Sequence, residues 1–247
     1  MSTKRFVAVD FGASGGKCFA GTFKGRTFTM QEIHRFAHGG VSFFIPDRKG
    51  RVSERNYWDD TLLYANIVSG LQAYRRLVGE TVDGIGIDTW GSDGQFMSAD
   101  GDMLGKVYCY RDHRLDHMIA EVKRRIDAER VYRITGIHFQ PFNISNQLLW
   151  FMQNRRNELE AGCFFLPIPS LFYYYLGGCR QVDSSFASVT QLMDAKKQQW
   201  SSEILRKLEI PRKLMPEIVV SGTVIGQLQD ALARRTDLNR AKLVATA

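Results

Sequence analysis

Apolar and polar residues alternate near the start of the chain in a way that predicts β-strands. The segment "RFVAVD" (5–10) has the pattern of a buried strand that ends in an acid, Asp10. Residues 17–36 predict two further strands, joined by a turn at Lys24-Gly25. Between residues 56 and 79 the period changes, and apolar side chains recur every three or four positions, which predicts one amphipathic helix. Its apolar face comprises Leu63, Ile67, Leu71, Tyr74 and Val78.

The next part of the chain returns to strands and then becomes mostly helical. Residues 82–89 predict a short buried strand, and residues 95–98 a strand that leads into the Asp100-Gly101 turn. After His113 the pattern predicts helices at 113–134, 142–156, 168–176 and 201–208, with prolines between them. These elements predict a mixed α/β domain whose sheet is built early in the chain.

The composition is that of a globular domain. The 247 residues are 44% hydrophobic and 24% charged, and a chain of this length can bury a sizeable core. No apolar run approaches the roughly 20 residues that a membrane-spanning helix needs. The N-terminus enters a strand pattern at once, and the four cysteines are scattered without metal-ligand spacing. We therefore expect a cytoplasmic protein with reduced thiols and no membrane partner.

A net charge of +7 raises the question of a nucleic-acid partner. The excess comes from scattered arginine pairs on predicted helices, and neither a basic tract nor a nucleic-acid-binding motif accompanies them. We expect no nucleic-acid partner. A generally basic surface, or a site for an anionic nucleotide, explains the charge better.

The segment "DFGASGGK" (10–17) has the composition of a phosphate-binding loop. It fails the Walker pattern at positions 11 and 18, and Ala13-Ser14 interrupts the dinucleotide-binding pattern. Both patterns also open a helix, whereas predicted strands flank this segment. We therefore predict a hairpin turn whose backbone N–H groups bind a phosphate, with a positive charge from Lys17 and a hydrated divalent cation at Asp10. The alternative is a plain hairpin turn with a solvent-facing lysine.

A second segment, "IGIDTWGSDGQF" (85–96), predicts a sugar-binding strand end. Trp90 offers an apolar plate for the face of a sugar, and Gly91 lets a ligand approach the backbone. Asp93 offers a carboxylate that can accept hydrogen bonds from hydroxyl groups. The alternative is a strand-end turn with capping aspartates.

Several segments, in order along the chain, resemble the N-terminal domain of the FGGY carbohydrate kinases, and among these the rhamnulokinases most closely. The segments are "FVAVDFGASGGK", "EIHRFAHGG", "IGIDTWGSD", "YRDHR", "GIHFQPFNISNQL" and "SVTQLMD". The resemblance covers essentially all of residues 1–247. It implies one ribonuclease H-like domain of the actin/hexokinase/sugar kinase superfamily, a mixed sheet flanked by helices. ATP and sugar would bind in a cleft between two such domains.

The resemblance also implies a reaction and roles for individual residues. The reaction would be phosphoryl transfer from ATP to the 1-hydroxyl of L-rhamnulose, with ATP and Mg²⁺ as cofactors. Asp10 would lie near the magnesium, and Gly91 would contact the sugar, with Trp90 and Asp93 around it. The residues implied at the ATP phosphates are Gly12, Ala13, Ser14, Gly15, Gly16 and Lys17.

One departure from the family concerns catalysis. The family's catalytic base lies in a Gly/Ser-His-Asp-Thr-Ala segment after a strand near the end of this domain, and this sequence has the strand, "AKLVATA", without that segment. Asp237 precedes the strand and does not match. We therefore expect the base, and a second nucleotide-binding domain, beyond Ala247, and no catalysis by this chain alone. A kinase for L-fuculose or L-xylulose and a non-catalytic sugar-binding module stay open as alternatives. An exposed cleft face could also make the half a homodimer.

Overall fold

The computed structural model describes residues 3–246, and it contains most of the predicted elements. The strands are β1 (Thr3–Phe11), β2 (Gly15–Lys24), β3 (Thr27–Ala37), β4 (Gly40–Pro46), β5 (Val52–Trp58), β6 (Gly84–Asp88), β7 (Gly94–Met97), β8 (Phe164–Pro167), β9 (Val182–Asp183), β10 (Met193–Asp194), β11 (Gln199–Trp200), β12 (Ile218–Val219), β13 (Val224–Gln227) and β14 (Lys242–Val244). The helices are α1 (Asp60–Leu77), α2 (Met118–Arg125), α3 (Ala128–Thr135), α4 (Ile144–Asn154), α5 (Arg156–Ala161), α6 (Ile168–Gly177), α7 (Ser184–Val189), α8 (Ser202–Lys207) and α9 (Asp230–Thr236), with 3₁₀ turns at His113–Leu115 and Arg212–Leu214.

A six-stranded mixed sheet, in the order β13-β14-β6-β1-β2-β3, forms the centre of the fold. Strands β1, β6 and β14 are parallel to one another, whereas β2, β3 and β13 run antiparallel to their neighbours. The hairpin-linked β1, β2 and β3 followed by parallel β6 and β14 is the ribonuclease H-like arrangement, so the predicted fold class is confirmed. Parallel strands end at one edge of a sheet, and ligands commonly bind there.

Helix α1 packs on one face of this sheet. It begins after Asp59, whose carboxylate accepts a hydrogen bond from the backbone N–H of Leu62. The strands turn Val7, Val9 and Phe11 of β1 into the core on the same side. Four of the five residues of the predicted apolar face are buried in the helix, namely Leu63, Ile67, Leu71 and Tyr74. The fifth, Val78, follows the last helical residue and is half-buried.

Three predictions about the extent of elements are wrong. The helix predicted between residues 56 and 79 begins only at Asp60, because residues 56–58 belong to β5. The helix predicted at 113–134 is divided into a 3₁₀ turn, α2 and α3. Ile126 is extended, with φ −145° and ψ 137°, and the Asp127 carboxylate accepts a hydrogen bond from the Arg130 N–H to start α3 afresh. The sheet is also not complete early in the chain, because β13 and β14 join it from the last quarter.

The hairpin of β4 and β5 was not predicted. Its strands form a separate two-stranded sheet, and every residue of β4 is exposed. An exposed hairpin lacks the alternation of buried and exposed positions on which strand prediction relies. At its base, Trp58 returns to the core, where its backbone N–H donates to the Val107 carbonyl.

Candidate active site

The glycine-rich segment forms the tip of the β1–β2 hairpin, as predicted, and we call residues 12–16 the glycine turn. The Gly12 N–H donates to the Gly15 carbonyl oxygen across 2.9 Å, which closes the hairpin over Ala13 and Ser14. A Cβ at Gly15 would lie 3.0 Å from the Phe36 carbonyl oxygen, and a Cβ at Gly16 would overlap the Phe36 ring. Glycine is therefore needed here because the β3 backbone and side chains approach closely.

Four charged residues lie side by side across the sheet next to the glycine turn, and we call them the charge row. They are Asp88 on β6, Asp10 on β1, Lys17 on β2 and Arg35 on β3. Asp10 is in register with Asp88 on one side and Lys17 on the other, and Lys17 is in register with Arg35. Directly paired residues point to the same face of a sheet, with Cβ atoms about 4.5–5.5 Å apart in antiparallel pairs. Two acids thus stand next to two bases at one end of the sheet.

Arg35 reaches the charge row because of a β-bulge. The β2–β3 pairing is regular from Lys24 opposite Thr27 to Phe19 opposite Glu32, and it resumes with Cys18 opposite His34. Ile33 is the extra residue, and its side chain is buried. Uninterrupted pairing would place His34 opposite Lys17, whereas the bulge moves His34 to the other face. There its Nε2 lies 2.9 Å from Asn66 Oδ1 on α1.

A small cavity of about 110 Å³ lies beside Asp88, with Gly91, Asp183 and Thr246 among its lining residues. Partial burial raises the pKa of the Asp88 carboxyl, the Thr89 backbone opposes this rise, and the charges of Asp10 and Asp183 add to it. Burial also raises the pKa of Asp183. The carboxylates therefore concentrate negative charge that a bound cation would relieve.

A pair of indoles in close contact forms the neighbouring surface, which we call the tryptophan wall (Trp58 and Trp90). The two ring centroids are 4.1 Å apart. Both indole N–H groups donate to the same oxygen of Asp93, Oδ2, over 2.7 Å from Trp58 and 3.0 Å from Trp90. The shared carboxylate fixes the orientation of both rings.

Asp93, which is predicted to lie around the sugar, is placed beneath the tryptophan wall. Its side chain is fully buried, and its φ is +72°. Gln147 Nε2 donates to Oδ1 over 2.9 Å, and the Tyr110 backbone N–H donates to Oδ2 over 3.1 Å. Burial raises the pKa of Asp93, while the hydrogen bond from Trp58 and the nearby charge of Arg114 oppose that rise. Asp93 thus holds the Trp58 and Trp90 rings in place through their indole N–H groups.

The exposed side of Trp90 borders a depression of about 380 Å³. Its wall is mostly apolar, from Tyr110, Phe142 and Val189. A Cβ at Gly91 would lie 3.1 Å from Val189 Cγ2, so the missing side chain keeps this depression open. Trp90 and Gly91 are therefore brought together in one pocket of the size that suits a small ligand.

His38 connects the glycine turn to the tryptophan wall. Its backbone N–H donates to the Ser14 carbonyl oxygen over 3.4 Å. Its ring lies 5.8 Å, centroid to centroid, from both Trp58 and Trp90. The two segments predicted independently, residues 10–17 and 90–91, are thus neighbours in the fold.

The model of the FGGY family of carbohydrate kinases, N-terminal domain, matches residues 51–247 of this sequence. The chain belongs to the FGGY family of carbohydrate kinases. The match begins after the glycine turn, which lies outside the matched residues.

Rhamnulokinases are among the relatives of this FGGY chain. It is 35% identical to the rhamnulokinase of Pectobacterium carotovorum subsp. carotovorum over 229 residues, which are 92% of this chain and 44% of the relative. It is 35% identical to the rhamnulokinase of Enterococcus faecalis over 248 residues, 100% of this chain and 48% of the relative. The chain therefore spans about half the length of the curated relatives that it matches.

A solved structure supports the fold. The ligand-bound xylulose kinase of Lactobacillus acidophilus superposes with a TM-score of 0.81 and 17% sequence identity, over 99% of this chain and 48% of that one. Kinases of the FGGY family use ATP.

Within residues 3–246, no helix has both the length and the apolar character needed to cross a membrane.

Sequence reasoning missed three residues that line this cleft, whereas Asp88 is among the carboxylates expected at the strand end to accept hydrogen bonds from hydroxyl groups. Trp58 lies in a segment predicted as helix, but it ends β5. Asp183 and Arg35 lie far from the predicted site residues in the sequence and come near them only in the folded chain. Arg35 does so through the pairing of β3 with β2, and Asp183 lines the cavity beside Asp88. For Arg35 the sequence holds a usable signal, because regular strand pairing from the Lys24-Gly25 turn places the segment around residue 34 opposite Lys17. The bulge then decides which residue of that segment is paired with the lysine.

Proposed function

We propose that this chain is the sugar-binding and phosphate-binding half of an ATP-dependent ketose kinase of the rhamnulokinase type. The whole protein would transfer the γ-phosphoryl group of ATP to the 1-hydroxyl of L-rhamnulose, in the cytoplasm. The observation that carries this proposal is that the glycine turn and charge row lie directly beside the pocket of Trp90 and Gly91. The names of the curated relatives support L-rhamnulose as the sugar.

The residues divide the work of phosphoryl transfer between them. The backbone of Gly12–Gly16 and the ammonium group of Lys17 would hold the ATP phosphates. Trp90 and Gly91 would hold the sugar, with Asp93 fixing the Trp90 ring. Phosphoryl transfer requires chiefly positioning and charge neutralisation, which this arrangement supplies.

Asp10 is the proposed magnesium residue, and the chemistry of its surroundings fits. Asp10 and Asp88 are paired in register and supply hard carboxylate oxygens. Residues 3–246 contain no group of three or more His, Cys, Asp or Glu side chains placed to hold a metal ion. One or two carboxylates suffice for Mg²⁺, which usually keeps several waters and binds substrate phosphates. A bound Mg²⁺ would neutralise phosphate charge at this end of the row.

The catalytic base of the whole kinase is proposed to follow β14. Strand β14 is parallel to β6, and Thr246 Oγ1 donates to the Ile87 carbonyl oxygen over 2.6 Å, which places Thr246 beside the end of β6. The resemblance to the family implies that the segment with the catalytic Asp comes directly after this strand. We therefore expect this chain to bind sugar without turning it over. Dimerisation of the half also stays a prediction.

Calorimetry on this chain tests the sugar site. We expect L-rhamnulose to bind, and its isomeric aldose, L-rhamnose, to bind more weakly. The Gly91→Val variant, which fills the pocket, should lower the affinity by about tenfold or more, since pocket shape discriminates to that degree. Ser98→Ala, directly after β7 and outside the residues that line the pocket, is the control. Equal affinity in Gly91→Val would contradict the sugar site.

The same titration ranks the alternatives. Tighter binding of L-fuculose or L-xylulose than of L-rhamnulose would reassign the substrate. Phosphorylation of L-rhamnulose by this chain alone, followed as ADP release, would show that its own residues complete the active site and would contradict the expected position of the base.

A further inference from the structure

We propose that Arg35 is a second cationic residue of the phosphate site, acting with Lys17 on the terminal phosphates of the nucleotide. This inference rests on the proposed function, because it adds a residue to the same phosphate site. Its first support is placement. The bulge at Ile33 puts Arg35 directly opposite Lys17, on the same face of the β2–β3 hairpin.

The second support is a shared depression. Lys17, Arg35 and the backbone of Ser14–Gly16 line one open cavity of about 600 Å³. The Arg35 side chain is 60% exposed, so a ligand in the cleft can reach its guanidinium. Two cations and the glycine turn thus face the same volume.

The third support is the partner that Arg35 has in this structure. Its Nε and Nη2 donate to the two carboxylate oxygens of Glu32 over 2.9 and 2.6 Å. That fork is the geometry with which arginine binds phosphate oxygens. The hydrogen bond from Arg35 lowers the pKa of Glu32, and the charges of Arg35 and Lys17 lower it further. Glu32 therefore lies in the positive field that a phosphate would occupy.

A triphosphate can replace Glu32 as the partner of Arg35, because it carries more negative charge than one carboxylate. An exposed ion pair contributes little to stability, so releasing Arg35 from Glu32 costs little. A triphosphate carries several negative charges and can contact Lys17, Arg35 and the glycine turn together. Glu32 thus competes with the ligand for Arg35, and it holds the guanidinium extended beside Lys17 until phosphate binds.

The test uses this chain and inorganic tripolyphosphate, which has the charges of the ATP phosphate chain and no adenine, in calorimetric titrations at low ionic strength. Arg35→Gln should lower the affinity about 5- to 30-fold, and Lys17→Gln by a similar factor. Arg35→Lys should recover only part of the loss, because lysine lacks the fork. Glu32→Gln should raise the affinity about threefold or more, since it removes a competing charge. Arg133→Gln on α3, where the arginine is likewise exposed and paired with a glutamate, is the matched control and should change the affinity less than twofold.

The outcomes separate this inference from the proposed function. If Lys17→Gln weakens binding while Arg35→Gln and Glu32→Gln stay within twofold of the wild type, the Arg35 inference is wrong and the phosphate site stands. If the wild-type chain does not bind tripolyphosphate, or no variant changes the affinity, the phosphate site itself is wrong. The gain expected in Glu32→Gln cannot come from impaired folding, so it tests the inference even if Arg35→Gln folds poorly.

Discussion

The glycine turn and the tryptophan wall are neighbours in the cleft, but different interactions hold them. The turn is shaped by backbone and by missing side chains, and its charged neighbours Lys17 and Arg35 stay accessible. The wall is fixed by a buried carboxylate, Asp93, to which both indoles donate. The turn therefore leaves the two cations beside it accessible to a ligand, whereas the wall uses its polar groups to hold itself rigid. Substitutions of the cations should accordingly affect binding, and loss of the carboxylate beneath the wall should affect folding.

The strongest test of this difference is Asp93→Ala. It removes the acceptor for Trp58, Trp90, the Tyr110 N–H and Gln147, and it leaves the buried Arg114 with one carboxylate fewer. Removing one member of a buried charged network costs about 3–5 kcal/mol. We expect a loss of unfolding free energy of that size in urea titrations followed by tryptophan fluorescence.

The control for this variant is Asp116→Ala. Asp116 is exposed and paired with His113, so its removal should cost less than about 1 kcal/mol. Asp93→Asn, which keeps an acceptor and tolerates positive φ, should fall between the two. If Asp93→Ala costs no more than Asp116→Ala, the wall does not depend on the carboxylate.

The same contrast explains what could be predicted from the sequence. The strands around the glycine turn are visible because their alternation is local, and the loop between them can only be a hairpin. The burial of Asp93 is not visible, because an aspartate two residues after a glycine looks the same whether it faces a sugar or a buried indole pair. Its burial depends on Trp58 and Gln147, which lie 35 and 54 residues away.

The position of Arg35 shows a second limit. The β2–β3 turn is predictable, and regular pairing from it would place His34 opposite Lys17. A single extra residue, Ile33, reverses that result for every residue beyond it. Nothing local in "QEIHRF" requires the bulge. On a regular strand Ile33 and Arg35 would point to the same face, and the bulge lets Ile33 enter the core while Arg35 stays in the cleft. The fold class could therefore be predicted from motifs in order, but the side chains at the site required the register.

An intermediate effect is expected at the turn itself, with Gly16→Ala. The added methyl group would overlap the Phe36 ring and lie 2.9 Å from Phe11 Cδ1, so the β2–β3 packing must shift. Overpacking of this kind costs about 1–3 kcal/mol. Thermal or urea unfolding would measure the loss, and tripolyphosphate affinity should fall with it because the turn moves.

Gly39→Ala is the matched control for Gly16→Ala. A Cβ at Gly39 meets no atom within 4 Å, and the substitution should be neutral or stabilising by about 0.4–1 kcal/mol. Equal unfolding free energies for the two alanine variants would show that Phe36 yields to the added methyl group, and the turn would then owe its shape to something other than close packing.

The smallest effect is expected at His38, which joins the two regions, and it depends on pH. Burial lowers the pKa of His38, the Gly12 and Gly15 carbonyls partly oppose that shift, and neither ring nitrogen makes a hydrogen bond within residues 3–246. The unfolded chain, with a histidine pKa of about 6.5, therefore binds more protons than the folded one between the two pKa values. The contribution of His38 to the unfolding free energy is therefore fully present above about pH 6.5. It is lost as the pH falls from the histidine pKa of the unfolded chain toward the lower pKa of the folded one.

His38→Phe, which keeps the aromatic contacts with Trp58 and Trp90, should lose less stability than the wild type between pH 7.5 and 5.5 in urea titrations. Parallel profiles would mean that the imidazole is solvated when charged, and that the junction between turn and wall admits water.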